Sequence, residues 1–141
     1  MNPAAKAVSD YYKYMNINHT MYGEDCEILI AQFPMKHRTP IKVHAYFSSD
    51  INNVKICALQ LVQFPPEKRM LMYQVCNDMN AEYRWIKFYA DRQINSITVE
   101  DDAVIDLNTC AQEVLQCTNQ LIRISDEAYP AFFNAIMSNH I

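Results

Sequence analysis

Glycine is nearly absent: Gly23 is the only one in 141 residues, and that scarcity removes whole classes of function. Dinucleotide-binding turns and P-loops hold positive φ, or bring backbone against phosphate, at several positions at once, which takes several glycines. Neither can be built from this chain. Basic residues are also in the minority, 12 Lys and Arg against 16 Asp and Glu, for a net charge of −4. A protein that grips phosphates concentrates Lys and Arg on one face, so nucleic acid is not an expected partner. No apolar run approaches the roughly 18–20 residues that cross a bilayer, and no apolar segment follows a basic start in the first twenty residues. The expectation is a soluble cytoplasmic protein with no membrane segment.

Signatures of catalysis and metal binding are missing too. The five cysteines are odd in number and contain no C-x-x-C pair, which fits reduced thiols better than a disulfide framework. Cys110 and Cys117, if they share a helix, stand roughly 10 Å apart along its axis, beyond the roughly 7 Å Cα limit for a bridge. Cys110 lies just inside a predicted helix start, where a thiol can be activated, yet it falls on that helix's apolar line and reads as a small core residue. No serine occupies a G-x-S-x-G elbow. The histidines His19, His37, His44 and His140 have no ligand spacing of the structural zinc kind, and only His37, His44 and Cys26 could be gathered by adjacent strands. Carboxylates cluster at Glu24, Asp25 and Glu27, and at Glu100, Asp101 and Asp102 with Asp106 nearby. Both clusters are predicted at strand ends, where solvated loop charges and edge protection account for them. No metal or cofactor is expected.

What is present is a core. Half of the residues are hydrophobic, enough for one domain over residues 1–141. In residues 3–16, Val8, Tyr11, Tyr12 and Met15 fall at i, i+3, i+4 and i+7, the spacing of one helical face. From Cys26 the period changes to two: Ile28, Ile30 and Gln32 against Glu27, Leu29 and Ala31, then Ile41, Val43, Ala45 and Phe47 against Lys42, His44 and Tyr46. Residues 54–62 are too apolar to alternate cleanly, which predicts a central strand covered on both faces. Pro65 and Pro66 set up a second helix, to about Asn80, with Leu71, Met72, Val75, Cys76 and Met79 as its stripe. Residues 85–90 and 96–100 read as a hairpin in which Asn95, for want of glycine, takes any left-handed position. Thr109 and Gln112 suggest a capping box for a last helix with Cys110, Val114, Cys117, Leu121, Ile124 and Ala128 inward. Leu115, Ile122 and Tyr129 widen that line, and Pro130 should bend or interrupt the helix.

Residues 69–130 carry a short apolar helix, the junction Asn77-Asp78-Met79-Asn80-Ala81-Glu82-Tyr83-Arg84-Trp85-Ile86-Lys87-Phe88-Tyr89, a strand pair, and a long helix ending Asp126-Glu127-Ala128-Tyr129-Pro130. This stretch resembles the YbjN-like family of bacterial sensory transduction regulators, whose fold is similar to that of type III secretion chaperones. The resemblance implies an α+β fold of order α-β-β-β-α-β-β-α with helices packed on an antiparallel sheet, the order the periodicities also give. It further implies a non-enzymatic, protein-binding or regulatory module acting as a homodimer. The alternative is a small-ligand sensor or enzyme with an unrecognised pocket. Met70 and Tyr73 lie outside the core stripe of the second helix. With Asn77, Tyr83, Trp85 and Tyr89 they are the candidate dimer or partner interface, since exposed Tyr and Trp are enriched at binding hot spots. Tyr83, Trp85, Phe88 and Tyr89 around Arg84 and Lys87 would suit base stacking only in a more basic chain.

Overall fold

The computed structural model describes residues 1–139, so His140 lies outside the described residues. The chain runs α1 (Pro3–Tyr14), β1 (His19–Tyr22), β2 (Ile28–Phe33), β3 (Ile41–Phe47), β4 (Asn53–Gln63), a 3-10 turn (Pro66–Lys68), α2 (Arg69–Glu82), β5 (Lys87–Asp91), β6 (Ser96–Val104) and α3 (Cys110–Met137). The six strands form one antiparallel sheet in the order β1-β2-β3-β4-β6-β5. The expected order is present, with one further short edge strand, β1, ahead of the three predicted. Its sequence His19-Thr20-Met21-Tyr22 is too short for alternation to stand out.

All three helices cover one face. α3 lies across β4 and β6, α1 packs between α3 and β2, and α2 packs on α3 and β5. Along the sheet, Leu29, Ala45 and Ile56 stand in register beneath them, as do Ala58, Val99 and Phe88. These residues and Met72, Leu121, Ile124 and Phe132 are all buried in one cluster.

Local chemistry explains the helix ends. Asn2 caps α1: its Oδ1 accepts from the Ala4 and Ala5 amides at 3.0 and 3.1 Å, with Pro3 following at the first helical position. On α1 the buried side chains are Ala4, Ala5, Val8, Ser9 and Tyr12, whereas Met15 is exposed because the helix ends at Tyr14 before Met15 can turn inward. Gly23 adopts φ +98° in the β1–β2 turn, where a Cβ would run into the Glu27 carboxylate. Asn95 takes φ 48° in the β5–β6 turn, the left-handed position the sequence assigned to it.

Four further expectations need correction. The uneven apolarity of β4 does not come from two covered faces. Three residues, Leu59, Gln60 and Leu61, stand between the pairs Ala58↔Val99 and Val62↔Ile97, where β6 supplies only Thr98, so a bulge shifts the alternation. The acids Glu100, Asp101 and Asp102 are not at a strand end: β6 continues through them to Val104, and they pair with Cys57, Ile56 and Lys55. The capping box does not form, because the Thr109 hydroxyl hydrogen-bonds the Glu113 carboxylate rather than the helix backbone.

Pro130, finally, neither ends nor interrupts α3, which runs unbroken from Cys110 to Met137. A proline at this position orphans the carbonyl four residues earlier, that of Asp126. That oxygen has another partner: His37 Nδ1 lies 3.1 Å from it. The Asp126 carboxylate also accepts from the Lys36 amide at 3.0 Å and the His37 amide at 2.9 Å, so the β2–β3 loop docks where the helix loses its own hydrogen bond.

Candidate protein-binding surfaces

The six residues singled out by sequence fall on three surfaces rather than one. Met70, Tyr73 and Asn77 share the outer face of α2, where successive residues at i, i+3 and i+7 align. Met70 is 67% exposed, Tyr73 is half-buried and Asn77 is exposed, and the three line one shallow depression with Gln74 and Asp78. Tyr83 follows the helix and leans inward, its ring 6.5 Å from that of Phe88. Trp85 lies in the loop before β5 rather than in a strand; it is 68% exposed at φ 76°, with the Arg84 guanidinium 4.8 Å from its ring. A positive φ is costly for so bulky a residue and turns the indole outward. Tyr89 is on the opposite, helix-free face of the sheet.

The α2–β5 junction has a structural task as well. Asn80 donates to the Phe88 carbonyl at 3.1 Å and accepts from the Phe88 amide at 2.8 Å. Its side chain thus imitates a neighbouring strand and closes part of the outer edge of β5.

The helix-free face carries a charged cluster that sequence reading placed in solvent. Glu100, 6% exposed, accepts from the Tyr89 hydroxyl at 3.1 Å and pairs with Lys87 at 3.1 Å and Lys55 at 3.6 Å. Burial alone would raise its carboxyl, but hydrogen bonds from Asp102 while that residue holds its proton, from Lys87 and from Tyr89, with the charge of Lys55, outweigh it and leave Glu100 below the ordinary range. Asp102 moves the other way, to about 6, through burial and its contact with Glu100. Tyr89 is pushed to about 12 by burial and by Glu100, so it is a hydrogen-bond donor at neutral pH. The signal for a strand here was available: after the three acids the apolar run resumes at Ala103, Val104 and Ile105.

Asp101 points the opposite way, into the helix-covered side. It is 5% exposed, and its Oδ2 has no hydrogen-bond partner among the described residues. Burial, with Asp102 beside it, raises this carboxyl to about 6. Four thiols are passive: burial pushes Cys57 to about 11, Cys76 to about 12 and Cys117 to about 11, and raises Cys110 as well. His37, His44 and Cys26 do not converge. His37 holds Asp126, His44 stacks on Tyr46 at 5.9 Å on the helix-free face, and Cys26 sits in the β1–β2 turn. No group of three or more potential metal ligands occurs among the described residues, and no helix among them is long and apolar enough to cross a membrane.

An antiparallel sheet with helices on one face and the other left open is the architecture of the type III secretion chaperones. The fold is similar to a chain of the ExsC–ExsE complex, with a TM-score of 0.57 and 9% identity over 89% of this chain and 90% of that one. It is also similar to the crystal structure of YbjN, "a putative transcription regulator from E. coli", with a TM-score of 0.63 and 13% identity over 89% of this chain and 91% of that one. Residues 18–134 match the YbjN family, described as "Putative bacterial sensory transduction regulator", and the chain belongs to that family. No curated protein matches the sequence.

Proposed function

We propose that this protein is a non-enzymatic, protein-binding regulatory module that works as a cytoplasmic homodimer, with no cofactor, and pairs its subunits through the outer face of α2. The observation that carries this reading is the pair Met70 and Tyr73. A methionine 67% exposed beside a half-exposed tyrosine, on a helix whose opposite stripe is already packed, is apolar surface without an intramolecular use. Asn77 extends the same face. Trp85, flanked by Arg84, supplies a second anchor of the type that dominates binding energy and is available to a partner protein. Five unpaired cysteines suit a reducing compartment.

The enzyme or small-ligand alternative calls for displaced titratable groups converging in a pocket. The most displaced groups, Asp101, Asp102, Tyr89, Cys57, Cys76 and Cys117, line none of five depressions found on the surface of the described residues. Affinity capture of the tagged protein from its native cells, with mass spectrometry, tests the class. A partner protein recovered at near-unit stoichiometry, and lost on Trp85→Ala, is the expected result. Capture of no protein besides the chain itself, together with stoichiometric release of a small molecule on denaturation, would contradict it.

A further inference from the structure

The sheet is open at one place within its span, between β3 and β4. Their register runs from Phe47↔Val54 to His44↔Cys57 and stops. Beyond that point β4 carries the bulge at Leu59, Gln60 and Leu61, with Gln60 at φ 59°. Surplus residues in one strand bend it away from its neighbour. Ile41, Lys42 and Val43 consequently have register partners on β2 alone. On the β4 side, Val62 and Gln63 pair with β6, which leaves their other edge toward β3 without a strand.

A cleft of about 520 Å³ occupies this place, lined by Arg38 and Thr39 on one side, by residues 60–63 of β4 on the other, and by Tyr129 of α3. Arg38 is its cation. In a chain of net charge −4, Arg38 meets no carboxylate within ion-pair distance among the described residues; its guanidinium donates to Met35 Sδ at 3.8 Å. Lys55 and Lys87 on the sheet, by contrast, are engaged by Glu100, whereas Lys42 on β3, beside the cleft, is like Arg38 in having no carboxylate within ion-pair distance among the described residues.

We propose that this cleft binds an extended peptide segment of a partner protein, the segment adding its backbone to the free edge of β4 at Gln60–Gln63 and placing a carboxylate side chain against Arg38. An unpaired strand edge offers main-chain donors and acceptors at the spacing an extended chain presents, and pockets beside it select alternate side chains. The guanidinium is the group that takes a carboxylate through two parallel hydrogen bonds, which fixes the register of the added strand. Tyr129 offers an aromatic surface to the next side chain facing the cleft. The outer edge of β5 is a poorer site for the same segment, because Asn80 already occupies the backbone groups of Phe88. This inference rests on the protein-binding reading and gives it a location.

Selection of a phage-displayed random dodecapeptide library against the purified full chain tests it, with synthetic copies of the enriched sequences titrated by calorimetry and mapped by amide NMR shifts. The expected result is enrichment of extended sequences bearing Asp or Glu, with shifts centred on Lys42 and on residues 60–63. Arg38→Glu should weaken these peptides at least about tenfold, the scale of one charge-assisted contact, and replacing the peptide's acid by Lys should restore binding to that variant. Arg38→Ala, a milder change at a loop position, controls for folding through its circular dichroism. Peptides that shift only α2 residues, or that bind Arg38→Glu as tightly as the wild type, would overturn the cleft while leaving the protein-binding reading standing. Failure of any peptide to enrich would overturn the cleft site, whereas the protein-binding reading itself stands or falls on the cellular capture.

Discussion

Replacing Asp101 by asparagine should make this protein more stable at alkaline pH. In the folded chain the carboxyl is 5% exposed, faces the helix-covered side of β6, and has an oxygen without a hydrogen-bond partner among the described residues. Burial first and Asp102 second raise its pKa to about 6, roughly two units above a free aspartate. The folded state therefore binds this proton more tightly than the unfolded state does. The group is without penalty below about pH 4 and costs stability as pH rises through about 6, where the folded chain must hold the charge. Two units correspond to about 3 kcal/mol at pH 8. An asparagine amide in the same place still lacks a partner, which returns part of the gain and leaves a net of about 1–2 kcal/mol. Urea unfolding followed by circular dichroism, at pH 4.5, 6 and 8, reads the effect as a gap between the two midpoints. The gap should be smallest at pH 4.5, grow most between pH 4.5 and 6, and level off between pH 6 and 8. Equal midpoints at pH 8, or a gap that does not change with pH, would refute the placement of this charge in the core.

Three other substitutions follow from the same geometry. Leu121→Ala should cost about 2–5 kcal/mol, since Leu121 is fully buried on the inner face of α3, whereas Gln116→Ala, on the exposed side of that helix, should stay within about 0.5; the same urea midpoints for both variants would mean the wrong face is inside. Asp126→Ala should cost about 1–3 kcal/mol, because the amides of Lys36 and His37 lose their acceptor. Burial opposes ionisation of Asp126, but those amides and His37 hold its carboxyl below the ordinary value, so its contribution is present at neutral pH and lost as pH falls through that lowered value. Hydrogen exchange of the β2–β3 loop should accelerate in the variant, and an unchanged loop would remove the tether from the account.

The element order was legible because most of it rests on local periodicity. β3 alternates cleanly from Ile41 to Phe47, and of the α3 line Cys110, Val114, Cys117, Leu121, Ile124 and Ala128 all but the half-buried Cys117 are buried as spaced. What escaped notice involved contacts distant in sequence. Pro130 reads as a break because the partner of the freed Asp126 carbonyl, His37, lies 89 residues away. Glu100 reads as a loop charge because Lys55 and Lys87, which make its burial tolerable, arrive from two other strands. The bulge in β4 was visible only as blurred alternation, which two covered faces would equally produce. The candidate site was legible in part. Met70 and Tyr73 stood out from their stripe and share one face of α2, but a strand period cannot tell which face of a sheet the helices will cover. Tyr89 was therefore grouped with residues on the other side.

The central claim, that the outer face of α2 joins two copies of this chain, is tested most directly by light scattering after size exclusion. A symmetric contact buries each introduced charge twice, and an unpaired buried charge costs several kcal/mol, enough to separate a modest dimer. The wild type should have twice the mass of the 16.4 kDa chain, and Met70→Asp with Tyr73→Asp should elute as a folded monomer with unchanged circular dichroism. A wild type that is already monomeric across the concentration range, or a folded double variant that remains dimeric, would contradict the account.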